Sequence, residues 1–225
     1  MPRRMIWPLV FGLVGCAILI ALGSWQVQRL TWKEDILDAM DARLGDAPVP
    51  LPASPDPARD RFLPVTATGT ITADGVFVMA SQRGLGAGYR LIAAFETDDR
   101  RILIDRGFIP ARLRDAPRPA VADVTIIGNL HWPDDANSST PPPDRAARLW
   151  FARDLPDIAA TLNTDPVLVV LRDSTESAPP AQFVPLDTAG IPNNHLNYAI
   201  TWFSLALVWA GMTGFLLWRI RQQTA

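Results

Sequence analysis

His195 is the residue of this chain best suited to hold a metal ion, because neutral imidazole is a good ligand for iron and copper. It stands among amides, Asn193, Asn194 and Asn197, which could cap a helix and orient the ring. Tyr198, Trp202 and Trp209 follow at helical spacing on the same face. A planar aromatic ligand such as a haem could lie against that stripe while His195 met its iron. The same residues also fit an interfacial cap followed by an ordinary aromatic belt. Residue types alone leave both readings standing.

Other chemistries find little support. A copper carrier wants paired soft thiolates, and Cys16 is the only cysteine, so neither a copper site nor an intrachain disulfide is expected. His131, in His131-Trp132-Pro133, sits at a strand end and reads as a loop residue. The glycine-rich run Ser81 to Tyr89 joins two strands rather than opening a helix, so its glycines serve a tight turn. No nucleophile elbow, phosphate loop or convergent acid pair is present, which argues against an enzyme.

The elements that must position His195 are two apolar spans. Tyr198 to Trp218 and Met5 to Trp25 are each 21 residues without a charge. As helix, each is about 31 Å long, enough to cross a hydrocarbon core. The expected layout is a transmembrane helix over 5–25, a β-rich periplasmic domain over 26–194 whose first part (26–44) extends the helix, a second span over 195–218, and a cytoplasmic tail over 219–225. Arg3, Arg4, Arg219 and Arg221 lie outside the spans, leaving 17 of the 21 basic residues against all 23 acids between them, a net charge of −6. Short basic tails stay in the cytoplasm, which puts both ends inside, although Arg29 and Lys33 argue weakly the other way. The acidic domain offers no basic face for nucleic acid. A cleaved signal peptide, or a lipoprotein box at Leu13-Val14-Gly15-Cys16, is the rival reading of the first span. The apolar run continues past Cys16, which favours a retained anchor. Ala206, Ala210 and Gly214 on one span, and Gly12 and Cys16 on the other, are small residues four apart that would let the helices approach closely.

Between the spans, Gly45 to Asp60 carries five prolines and reads as a loop. The period then becomes two. Phe62 to Ile71 and Gly75 to Ala80 are expected to form a hairpin across the Thr72-Ala73-Asp74-Gly75 turn. Tyr89 to Glu96 pairs with Arg101 to Arg106, and Val121 to Leu130, Leu149 to Arg153 and Pro166 to Arg172 give further strands. Pro133 to Arg148 is a loop, and Leu155 to Leu162 a short helix begun by Asp154 and Pro156. The expected fold class is α+β, with two antiparallel transmembrane helices flanking an antiparallel β-barrel or sandwich-like domain.

Four segments together carry a resemblance. They are Leu22-Gly23-Ser24-Trp25-Gln26-Val27-Gln28-Arg29-Leu30-Thr31-Trp32-Lys33, then Gly69 with Gly88-Tyr89, then Ile104-Asp105-Arg106-Gly107-Phe108-Ile109-Pro110, and finally Asn193 to Ala206. In order and spacing the chain resembles the Surfeit locus protein 1 family, membrane-bound assembly factors of cytochrome c oxidase. The resemblance implies an assembly role in the bacterial inner membrane, with haem a received and delivered to oxidase subunit I. It casts His195 as the axial iron ligand and Trp202, with Tyr198, as the cover of the macrocycle. Subunit I, possibly subunit II, haem a synthase and membrane lipid are the implied partners. Trp25, Tyr89, Arg106, Gly107, Phe108 and Pro110 are the implied partner-binding residues. Phe108 replaces the family's usual Trp, keeping bulk and losing an N–H donor. The alternative is a cofactor-free scaffold that holds oxidase subunits during assembly.

Overall fold

The computed structural model describes residues 3–189 and 191–224; Ala225, the end of the expected tail, lies outside them. Two compact units are present, Met1–Ala39 with Thr188–Ala225, and Met40–Asp187.

The first unit is a helix pair. Helix α1 runs unbroken through Arg3–Gly45, 43 residues, and α4 through His195–Thr224, 30 residues. The other helices, α2 (Pro57–Asp60) and α3 (Leu155–Leu162), are short. At about 1.5 Å per residue both long helices exceed a ~30 Å hydrocarbon core, and both are apolar enough to cross one. The buried positions of α1 include Gly12, Gly23 and Gln26; those of α4 are Ala199 and Ala206. A Cβ on Gly12 would meet Thr213 Cγ2 at 2.2 Å, and one on Gly15 would meet the Trp209 indole at 2.3 Å. The Trp209 Nε1–H donates to Gly12 O at 3.1 Å. Close approach is therefore made by glycines of α1 against larger side chains of α4. The expected small face of α4 is only partly used: Ala206 is buried, Ala210 is exposed, and a Cβ on Gly214 would meet open space. The reason is periodicity. The inward positions of α4, 199, 202, 206, 209 and 213, repeat every 3.5 residues, and a strict spacing of four drifts off that seam.

The second unit is built on one curled mixed sheet rather than the expected all-antiparallel barrel or sandwich. Its strands are β1 (Val49–Pro50), β2 (Pro64–Gln82), β3 (Gly86–Glu96), β4 (Arg101–Pro110), β5 (Val121–His131), β6 (Leu149–Trp150) and β7 (Leu168–Ser174). β2 pairs antiparallel with β5 through its first half and with β3 through its second. It is one 19-residue strand, not the expected hairpin. Thr72 to Gly75 forms an irregularity in the ladder instead of a turn, with the Asp74 N–H donating to Thr72 Oγ1 at 3.2 Å. β3 and β4 form a hairpin, and β7 lies parallel to β4 and antiparallel to β5.

Both faces of the sheet are covered. One carries Val65, Ile71, Phe95, Ile102, Ile104, Ile126, Leu130 and Val169. On the other, Val78, Ile92, Leu103 and Val170 pack against Trp150 and α3. Asp154 caps α3 by accepting from Asp157 N–H, Pro156 starts it, and Asn163 ends it in the left-handed region at φ 52°. Leu155, Ile158, Ala159 and Leu162 form its buried face.

A bulge in β4 shapes the end of the sheet. Arg90 pairs with Phe108 and Ile92 with Asp105, so two residues of β4 oppose one of β3. Gly107 takes φ 104°, where a Cβ would meet Gln182 O at 2.0 Å. Its N–H donates to Asp105 Oδ1 at 3.0 Å, while Asp105 Oδ2 accepts from Arg90 Nε at 2.6 Å. Gln182, in the segment after β7, exchanges two backbone hydrogen bonds with Phe108 and so covers the bulge.

Candidate functional site

His195 is the first residue of α4, and Gln26 lies on the buried seam of α1, seven residues beyond Leu19 and fourteen beyond Gly12. His195 Nδ1 and Gln26 Oε1 are 2.7 Å apart. An amide oxygen only accepts, so Nδ1 is the donor, and a neutral ring in this contact has its lone pair on Nε2. That is the tautomer a metal needs, with the second nitrogen fixed by an outer partner. Gln26 is 9% exposed and therefore held in place. Seven residues further along α1, Lys33 Nζ donates to Pro192 O and ties down the chain just before His195. Asn193 Oδ1 is buried there without a hydrogen-bond partner.

The aromatic residues divide. Trp202 is half-buried on the inward seam of α4 with His195, and Trp209 continues that seam two turns on. Tyr198 is 55% exposed on the flank. Apolar grooves of about 430 and 340 Å³ run along the helix pair and share Trp209 and Met212. Among the described residues no three metal-ligating side chains converge. A metal at His195 must therefore bring most of its own donor atoms, as the iron of a haem does.

The orienting residue, Gln26, was not singled out in the sequence. Its signal was a polar residue at a seam position of an apolar helix, legible only once the partner helix fixes which face is buried. The amides nearer in sequence were the more obvious candidates to orient the ring.

Residues 13–207, which take in most of α1, the whole sheet unit and the first part of α4 with His195 and Trp202, match the SURF1 family. The chain belongs to that family. A Surfeit locus protein 1 from Rattus norvegicus is 26% identical over 212 residues, 84% of this chain and 69% of the relative. A SURF1-like protein from Drosophila melanogaster is 29% identical over 230 residues, 90% of this chain and 74% of the relative. A bacterial SURF1-like protein, from Rickettsia felis, is 29% identical over 205 residues, 87% and 90% respectively.

The remaining residues singled out in this SURF1-family chain lie elsewhere. Trp25 is 52% exposed beside Gln26 on α1. In the sheet unit, Arg106 gives Nη2 to both oxygens of Glu176 at 2.6 and 2.7 Å, and its side chain is 3% exposed. Gly107 and Phe108 are buried beneath Gln182, and Pro110 is half-buried at the strand end. Tyr89 packs edge-on to Phe77 with ring centroids 5.7 Å apart, and the Arg114 guanidinium stands 5.2 Å from its ring. Buried ion pairs and the glycine at positive φ make the Asp105–Phe108 stretch a structural bulge. The side chains of Asp105, Arg106 and Phe108 are buried.

Proposed function

We propose that this chain is an assembly factor for a haem-copper cytochrome c oxidase, and that it holds haem a on the helix pair for delivery to subunit I. The observation that carries the reading is the 2.7 Å contact between His195 Nδ1 and Gln26 Oε1, which in a neutral ring leaves Nε2 with the lone pair for iron. Haem a is cargo here, and the chain's part is to bind and release it rather than to do chemistry on it. His195 would supply the iron ligand, Trp202 and Tyr198 would pack the ring, and the apolar groove beside Trp209 would receive the farnesyl tail. A single protein ligand suits a carrier, since cargo must leave.

In the same reading α1 and α4 cross the inner membrane with both ends in the cytoplasm, and the sheet unit stands in the periplasm. Oxidase subunit I, possibly subunit II, and haem a synthase are the partners. The experiment is co-expression with the haem a biosynthetic enzymes, followed by a visible spectrum of the purified protein. A haem band that is absent from His195→Ala supports the reading. A full band in His195→Ala removes the ligand assignment. No band in the native protein favours a cofactor-free scaffold.

A further inference from the structure

Beside the bulge of the sheet unit is a cavity of about 210 Å³. Two guanidinium groups line it, Arg106 from β4 and Arg118 from the loop before β5, together with one acid, Glu176. Glu176 is already engaged by Arg106 Nη2 through both its oxygens. Arg106 Nε is nonetheless buried without a hydrogen-bond partner, and so is Arg118 Nε. Arg118 gives its Nη2 to the carbonyls of Leu113 and Arg114, and its Cζ stands 5.1 Å from the Phe77 ring, so the side chain is fixed. Two cations thus face one committed anion. Burial, and then repulsion from Arg106, push the Arg118 pKa below the usual arginine value; the attraction of Asp115 is weaker than either. Walls formed by Pro117, Pro119 and Pro180 restrict backbone movement, and the exposed Ser177 and Ala178 open the cavity outward.

We propose that this cavity receives one oxyanion group, a carboxylate or a phosphate, held by the surplus positive charge of the Arg106 and Arg118 guanidinium groups that line it and by the Ser177 hydroxyl. Guanidinium donors match the spread oxygens of either group better than those of a spherical ion such as chloride. The carboxylate would come from an acidic side chain or chain end of a protein partner, the phosphate from solution.

The test is thermal unfolding of the full chain in detergent, titrated with potassium acetate or potassium phosphate against potassium chloride of equal ionic strength. At least one oxyanion is expected to raise Tm saturably beyond chloride. Stronger binding of acetate assigns a protein carboxylate, and stronger binding of phosphate assigns free phosphate. Arg118→Gln should weaken apparent binding at least tenfold, while Arg148→Gln, an exposed control, should leave it unchanged. Ala178→Leu adds bulk at the mouth of the cavity and keeps both arginines, so it should show the same loss even if Arg118→Gln fails to fold. No stabilisation beyond chloride, or a native response in Ala178→Leu, overturns the proposal.

Discussion

Replacing Gln26 by Leu removes the acceptor of the His195 ring while keeping an apolar side chain of similar size on the α1 seam. Two consequences compete. The helix pair loses one interhelical hydrogen bond, worth on average about 0.6 and at most about 1.7 kcal/mol in a membrane protein. Ligand orientation is also lost, and removing an outer partner of a metal-bound histidine lowers affinity about 10–100-fold, or about 1.4–2.7 kcal/mol. The pair has other fastenings, including Thr213 against Gly12, Trp209 against Gly15 and the Trp209 hydrogen bond to Gly12 O, so the second effect should dominate. Haem titration of the detergent-purified protein, followed at the Soret band, reads it directly. Gln26→Leu should raise Kd about 10–100-fold. Gln26→Glu, which keeps an acceptor oxygen at the same reach, should stay much nearer the native value. His195→Ala sets the floor. Native affinity in Gln26→Leu alongside loss in His195→Ala would refute the idea that this amide sets the working tautomer.

Other expectations concern packing and pH. Phe108→Ala should cost about 3–5 kcal/mol, read as a fall in Tm, because Phe108 is only 2% exposed; any loss of oxidase binding in this variant would report stability before contact. Gly107→Ala should cost about 2 kcal/mol or more on the same assay, since neither its φ of 104° nor the carbonyl of Gln182 leaves room for a Cβ. Cys16 Sγ lies 3.8 Å from Ala206 O, so an Ala206→Cys variant should form an intrachain cross-link on oxidation, and adding Gly12→Leu should suppress it. Burial, and next the nearby Arg153, push the His131 pKa down to about 4. The folded state then favours the neutral ring. Stability should be complete above the ordinary histidine pKa of about 6.5 and fall as pH drops from there toward 4, by on the order of 2 kcal/mol after solvent screening. His131→Gln should flatten that slope in acid melts.

Much of the architecture could be read from residue order. Apolar length located both long helices, and Asp154 with Pro156 announced α3. What resisted was pairing. Ile102 to Ile104 and Val167 to Leu171 are continuous apolar runs, the mark of strands covered on both faces, and β4 and β7 do pair in parallel. Alternation elsewhere suggested an antiparallel domain throughout, because a period of two is silent about strand direction. The Thr72-Ala73-Asp74-Gly75 run has the composition of a turn, yet β2 passes through it because its two halves have different neighbours to satisfy. His195 could be found from its residue type; Gln26 could not, because its role exists only through a residue 169 positions away.

Two of the segments that carry the resemblance invite different physical questions. In Asp105 to Phe108 nearly every polar group has a partner: Asp105 holds Arg90 and the Gly107 N–H, and Arg106 holds Glu176. What remains is one nitrogen, Arg106 Nε, which carries a hydrogen and can only donate. In Asn193 to Ala206 the corresponding atom is His195 Nε2, which in the neutral ring donating from Nδ1 can only accept or ligate. The cavity lined by Arg106 and Arg118 offers positive charge and donors, whereas His195 offers a ligating nitrogen, so no single ligand group satisfies both. The two proposals can therefore fail separately. Phosphate or acetate should stabilise the protein whether or not Gln26 is Leu, and haem should bind whether or not the cavity mouth is narrowed by Ala178→Leu. Loss of haem binding in Ala178→Leu, with the fold intact, would show that the two sites are coupled and that this division of labour is mistaken.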